Sequence, residues 1–293
     1  QVHLTLDVKT QSLHVKGGSS NNDIKCIDAQ EFPPLPTPEM EDAVQLNVSD
    51  FKEMIHQVSF AASTDEARPV LMGVLMNVEK DMVTMAAADG FRLSVRKAQL
   101  SQSVSQPINV IIPARALNEL ARVAADGEEP IYMVVPKNRG QVLFRVKDVE
   151  VVSQLIEGTF PDYHQIIPRN YKSRTLVSTA SLLKACKQAE IFAREGSNVA
   201  RFDIKQANGE MQPSEVEISA VSEETGKNET IVEATVDGGS VLIAFNVKFL
   251  REALEVIKTP NVALETSAAN APGVVKPVGD DNFLHVIMPM HLG

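Results

Sequence analysis

The stretch TFPDYHQIIP, Thr159 to Pro168, sets a bulky apolar residue before a proline in the middle of the chain. A shorter echo, EFPPLP, runs from Glu31 to Pro36, and IMPMHL runs from Ile287 to Leu292. The first prolines of the three, Pro33, Pro161 and Pro289, are each 128 residues apart. Equal spacing over so long a period is a sign of repeated units, so the segments between the marks invite comparison.

After Pro33 a linker rich in proline and acid, TPEMEDAV, leads into LNVSDFKEMIHQVSFAAS. A strand-like triplet comes first, then Ser49 as the expected N-cap, then a helix on which Phe51, Ile55, Val58 and Ala62 recur at helical spacing. After Pro161, LVSTASLLKACKQAEIFAREG follows the same plan. Thr179 or Ser181 is its expected cap, and Leu182, Leu183, Ala185, Ala189 and Phe192 supply the apolar face.

Each unit predicts a second helix behind an apolar strand. In the middle unit INVIIP precedes a helix over 113–126, where Pro113 suits the first turn. In the last unit SVLIAFN precedes a helix over 246–258, stopped by Pro260. Period-two alternation in VLMNVE, RLSVRKAQ, QVLFRV and VEVVSQLI predicts the strands. Each unit reads as strands, helix, strands, helix, strands, which is an α+β fold.

The residues before the first mark show only hairpin-like strands, VHLTLDVKT, QSLHVKGG and NNDIKCIDAQEF, and KGGSSNND reads as a turn. A full unit spans 128 residues, so the expectation is a chain lacking the front of a three-unit protein. The domains are drawn at 1–40, 41–168 and 169–293.

Bulk properties bound the function. Of 293 residues 44% are hydrophobic and 23% charged, which fits a folded globular chain. No apolar run approaches the ~20 residues that span a bilayer, and the start has no apolar signal core. The first residue is Gln rather than Met, so the chain reads as processed or as a fragment. Cys26 and Cys186 stand far apart, outside any C-x-x-C pair, which argues against a disulfide scaffold or zinc site and suggests a reducing cytoplasm. The net charge of −10 argues on its face against a nucleic-acid partner, yet it says nothing of where the charges sit.

A search for catalysis returns nothing. Neither G-x-x-x-x-G-K-[ST] nor H-E-x-x-H occurs. His285 and His291 lie six apart with no acidic cluster. Asp65-Glu66 beside Arg68 reads as a loop cap or ion pair, and Ser63 has no evident base. The expectation is a non-enzyme with no cofactor and no metal.

In this order along the chain, FAASTDEARPVLMGV (60–74), AAADGFRLSV (86–95), LIEGTFPDYHQIIP, FNVKFLREAL (245–254) and HVIMPMHL resemble the bacterial DNA polymerase III beta subunits, the sliding clamps. The resemblance covers essentially the whole chain. It implies a DNA clamp fold of like domains, each with two helices packed on antiparallel sheets. Two subunits would form a homodimer ring around double-stranded DNA, helices lining the hole, as a processivity factor without catalysis. The partners it implies are the DNA polymerase III alpha subunit, the clamp loader and other clamp-binding-motif proteins, with no membrane involved.

The same resemblance places a peptide groove between the second and third domains. Carried over residue by residue, it falls on Arg68, Leu71, Gly90, Phe91, Arg92, Leu93, Pro161, Ile166, Asn246, Phe249, Val286, Ile287, Met288 and Met290. Methionines adapt to varied ligands and arginines grip carboxylates or carbonyls. Ala88 stands where the family often has a hydroxyl and Phe91 where it often has a histidine, so a more apolar groove is expected. For the ring joint the resemblance gives Ile191 and Phe192 as the knob and Ile24 on the receiving strand. With most of the first domain missing, the chain as given is expected not to close a stable ring.

The charges fit such a ring. Lys52, Arg115, Arg122, Lys184, Lys187, Lys248 and Arg251 lie on the predicted helices and form the expected DNA face, diluted by Glu53, Glu119, Glu190, Glu252 and Glu255. Glu210, Glu215, Glu217, Glu223, Glu224, Glu229 and Glu233 gather in strands and loops of the last unit. A basic bore with an acidic rim reconciles DNA encirclement with a net charge of −10. Two other readings compete. One is a repeated-domain β-rich binding module not acting on DNA, disfavoured by the basic helices. The other is a repeat-built enzyme, disfavoured by the missing catalytic set.

Overall fold

Alternating apolar residues build three sheets among the described residues, of three, four and thirteen strands. The computed structural model describes residues 1–32, 43–124, 127, 129–136, 140–207 and 214–291. Pro33, the boundary drawn at 40/41, Asp126, Glu210 and Leu292 lie outside the described residues. The chain divides into two compact units, Gln1–Pro38 and Glu39–Gly293.

The first unit is an antiparallel meander of strands Val2–Asp7, Ser12–Gly17 and Ser20–Lys25. The turn expected over KGGSSNND is confined to Gly18 and Ser19, and Ser20–Lys25 continues as strand because it pairs back onto Ser12–Gly17. Val2, Leu4, Leu6 and Ile24 are exposed on it.

The second unit holds the two repeats. Helices α1 (Val48–Val58) and α2 (Ala114–Val123) belong to the middle repeat, α3 (Thr179–Ala193) and α4 (Val247–Glu255) to the last. The caps correct the sequence reading by one or two residues. Asn47, not Ser49, caps α1, because its extended backbone lets the side chain accept from the Asp50 amide at 3.1 Å. Ser178, rather than Thr179 or Ser181, caps α3. Pro113 stands at the cap of α2 instead of inside its first turn. Asn246 caps α4, accepting from the Lys248 and Phe249 amides.

Each repeat has its own core. Phe51, Met54, Ile55, Met76, Met85, Leu117, Leu120 and Phe144 are central in the middle one. Leu182, Ala189, Phe202, Ile218, Phe245, Leu250 and Val275 are central in the last. Cys186 on α3 is fully buried in the latter, and burial pushes its thiol pKa well above the ordinary value. The middle repeat carries a four-stranded sheet of Val44–Leu46, Ile131–Val134, Gln141–Val146 and Val149–Gln154. Its remaining strands join those of the last repeat in one sheet, thirteen strands among the described residues. The join is antiparallel, Arg92–Gln99 against Phe283–Ile287.

Candidate functional site

The join between the repeats is where chemistry-bearing side chains converge. In its ladder Leu93 opposes Val286, Ser94 opposes His285 and Arg92 opposes Ile287. Ser94 and His285 are both fully buried, and the serine Oγ lies 2.7 Å from the imidazole Nδ1. Burial, then the nearby Arg92 charge, hold the His285 pKa down to about 3, so the ring is neutral at pH 7. The imidazole stacks on Phe60, which packs against both repeat cores.

Above this lies Arg92. Its Nε donates to Asp89 Oδ2 at 2.9 Å and its Nη2 to the Phe60 carbonyl at 2.8 Å. Its Nη1 donates to Glu252, across the seam on α4. The guanidinium carbon lies 4.2 Å from the centroid of Phe249 and 5.4 Å from that of Phe60. Nearby, Asp89 caps the turn into the strand, accepting from the Phe91 and Arg92 amides. Gly90 takes φ +95° there, and a Cβ would meet Arg68 Nη1 at 3.0 Å, so this turn suits glycine. That same Nη1 donates to the Asp89 carbonyl, and Arg68 Nε pairs with Asp65.

The stretch TFPDYHQIIP runs beside the seam. Phe160 and Tyr163 are buried in a small apolar cluster with Ala88, Leu93, Val95, Val274 and Val286, against which Leu71 and Ile167 pack. Asp162 caps the short turn Tyr163–Gln165, which leaves Pro161 and Ile166 exposed. The last mark is fixed too: Met288 donates its amide to the Phe91 carbonyl at 2.9 Å, and Met290 opposes Ala244. Phe91, Ile166 and Met288 are exposed, at 56%, 40% and 37%. The result is a surface of exposed apolar side chains over an apolar floor. A concavity of about 630 Å³ lies elsewhere in the middle repeat, lined by Val44, Gln45, Ser105, Ile108 and Val134. No group of three or more metal-ligating side chains occurs among the described residues.

The helix cations are not equally available. Arg115, Lys184 and Lys248 are exposed. Arg122 is exposed and pairs with Glu119. Lys52 reaches the Ala124 carbonyl at 3.0 Å, and Lys187 pairs with Glu255. Arg251 is enclosed by Glu190, Glu252 and Glu255, with its side chain 19% exposed.

Two family models match the repeats. The central domain of the DNA polymerase III beta subunit matches residues 45–162, and its C-terminal domain matches 164–291. The chain belongs to the DNA polymerase III beta subunit family. The beta sliding clamp of Staphylococcus aureus is 38% identical over 290 residues, covering 99% of this chain and 74% of the relative. That of Staphylococcus epidermidis is 35% identical over 291 residues, with the same coverage. A crystal structure of the DNA polymerase sliding clamp from Bacillus subtilis superposes with TM-score 0.88 at 31% identity, covering all of this chain and 75% of that one. The beta subunit from Thermotoga maritima gives 0.83 at 26% identity, covering 100% and 76%. The α+β architecture is therefore the sliding-clamp fold.

Set against the residues expected from the clamp family, the structure sorts the list. Arg68, Leu71, Gly90, Phe91, Pro161, Ile166, Phe249, Met288 and Met290 keep at least part of their surface. Leu93, Val286 and Ile287 are at most 1% exposed, and the ladder turns them into the core. Asn246 is engaged in capping α4. Arg92 is held inside rather than presented. Ile24 and Ile191 are exposed, while Phe192 packs partly against the last core. Sequence reasoning missed Phe60, Ser94, His285 and Glu252. For Glu252 one signal was present, its place three residues after Phe249 on one helix face.

Proposed function

We propose that the chain works as a DNA sliding clamp: a non-catalytic ring subunit that encircles duplex DNA and tethers the replicative polymerase and other factors in the cytoplasm. Its three parts would be the clamp domains drawn at 1–40, 41–168 and 169–293. The observation that carries the reading is the shared ladder between the repeats, with exposed Phe91, Ile166 and Met288 standing over an apolar floor. Such a surface takes a short peptide through a few apolar anchors. Arg115, Arg122, Lys184 and Lys248 would meet phosphates without reading bases, which permits sliding. The exposed Ile191, with Phe192 behind it, would be the joint to another subunit's strand bearing Ile24.

The deciding experiment is fluorescence anisotropy with a labelled Gln-x-x-Leu-Phe peptide. Saturable binding is expected, and truncation after Val286, which removes Met288 and Met290, should abolish it. A folded chain that fails to bind at high micromolar peptide, or a truncated chain that binds equally well, would place the site elsewhere.

A further inference from the structure

Arg92 is held from both sides of the seam, and the two sides differ. On its own repeat it has Asp89 and the Phe60 carbonyl. From the last repeat α4 holds its side chain, through Glu252 and the face of Phe249. Those two residues are three apart, so carboxylate and ring rise together from one face of the helix and take the guanidinium between them. Every nitrogen of Arg92 thus has a partner, and its side chain is 9% exposed. Arg68, by contrast, has its side chain 43% exposed.

We infer that Glu252 is a positioning residue of the groove: it seats the Arg92 guanidinium over the Phe249 ring and thereby fixes the aromatic wall against the seam. This rests on the peptide-groove reading above. Without Glu252, Asp89 and Phe60 keep Arg92 on the middle repeat, no ionic contact ties it to α4, and the half-buried Phe249 ring loses the plane that orients it. Glu252 also accepts from Arg251 at 3.4 Å, so the same carboxylate links the wall to the ion cluster shared by α3 and α4.

The test is a double-mutant cycle on peptide affinity with the same labelled Gln-x-x-Leu-Phe peptide, using E252A, R92A and the double variant, each checked for folding by thermal melting. If the residues act as one device, each single change weakens binding about tenfold and the double change no more than the larger single one. The isosteric E252Q, which keeps the shape and one acceptor, should recover most of the affinity. R92K should behave like R92A, because an ammonium cannot lie flat between ring and carboxylate. Such a pattern would not arise from a purely structural role, which would move the melting midpoint and leave affinity alone. E252A and E252Q binding like the parent chain, or losses that multiply in the double variant, overturn the inference and leave the groove standing. A parent chain that does not bind at all overturns both.

Discussion

Helices α2 and α4 fill the same slot in their repeats, with Leu117 and Leu250 buried at matching positions, yet their surfaces have diverged around a shared cation and a shared glutamate. Counting along from those leucines, Ala116 corresponds to Phe249, Asn118 to Arg251 and Glu119 to Glu252. On α2 Asn118 accepts a neutral hydrogen bond from Ser59, the residue that ends α1, and Glu119 pairs locally with the exposed Arg122. On α4 Arg251 is enclosed by carboxylates and Glu252 reaches into the other repeat. One slot has become an open basic face and the other a clasp. Repetition preserves the buried half of a helix, which the core dictates, and leaves the solvent half to diverge.

The sharpest way to break this contrast is Phe249→Ala. It should weaken peptide binding by about a hundredfold or more, as loss of a central aromatic anchor does, whereas Ala116→Phe on α2 should leave it unchanged in the same titration. Next, Arg115→Glu with Arg122→Glu should weaken association with duplex DNA and make its dependence on salt shallower by about two units in the logarithmic slope. Filter binding across a salt series measures this, and an unaltered slope would remove α2 from the DNA face. Arg251→Glu should act on stability instead. It sets a fourth carboxylate among Glu190, Glu252 and Glu255, for a loss of about 2 kcal/mol in denaturant unfolding. A large DNA effect from Arg251→Glu with unchanged stability would erase the distinction between the helices.

A pH series reads the seam under α4. Because His285 is neutral when folded down to about pH 3, the unfolded chain binds more protons between that pH and the ordinary histidine value of 6.5. Its contribution is fully present above 6.5 and is lost as pH falls toward 3, on the order of one kcal/mol per pH unit. His285→Asn should flatten that part of the pH–stability curve, and a slope unchanged in the variant would assign it to other groups.

Much of this architecture is legible in residue order, because the signals that carry it are local. The 3.6-residue spacing of Phe51, Ile55 and Val58 and the alternation in Arg92–Gln99 need no knowledge of distant residues. The caps came out a residue or two off because Asn47 and Ser49, like Ser178 and Thr179, are both capable. The choice falls to whichever backbone leaves the sheet in the extended conformation. The seam was not legible in the same way. His285 meets Ser94, and Glu252 meets Arg92, across more than a hundred residues of chain, and no periodicity encodes such a meeting. Glu252 looked like a residue that merely diluted a basic stripe. The depth of Leu93, Val286 and Ile287 was not legible either, because strand sequence does not tell which face a neighbouring repeat will cover.

Cys186 lends the last repeat a built-in stopwatch. Its thiol is enclosed under α3 and its pKa is pushed up, so it offers alkylating reagents almost no thiolate while the helix stays seated. Cys26, on the other compact unit, is only partly covered. A thiol reagent should therefore mark Cys26 at once and Cys186 only at the pace at which α3 lifts from its sheet. The second labelling phase would time the breathing of that helix in the unmodified chain, with no dye, no mutation and no partner added.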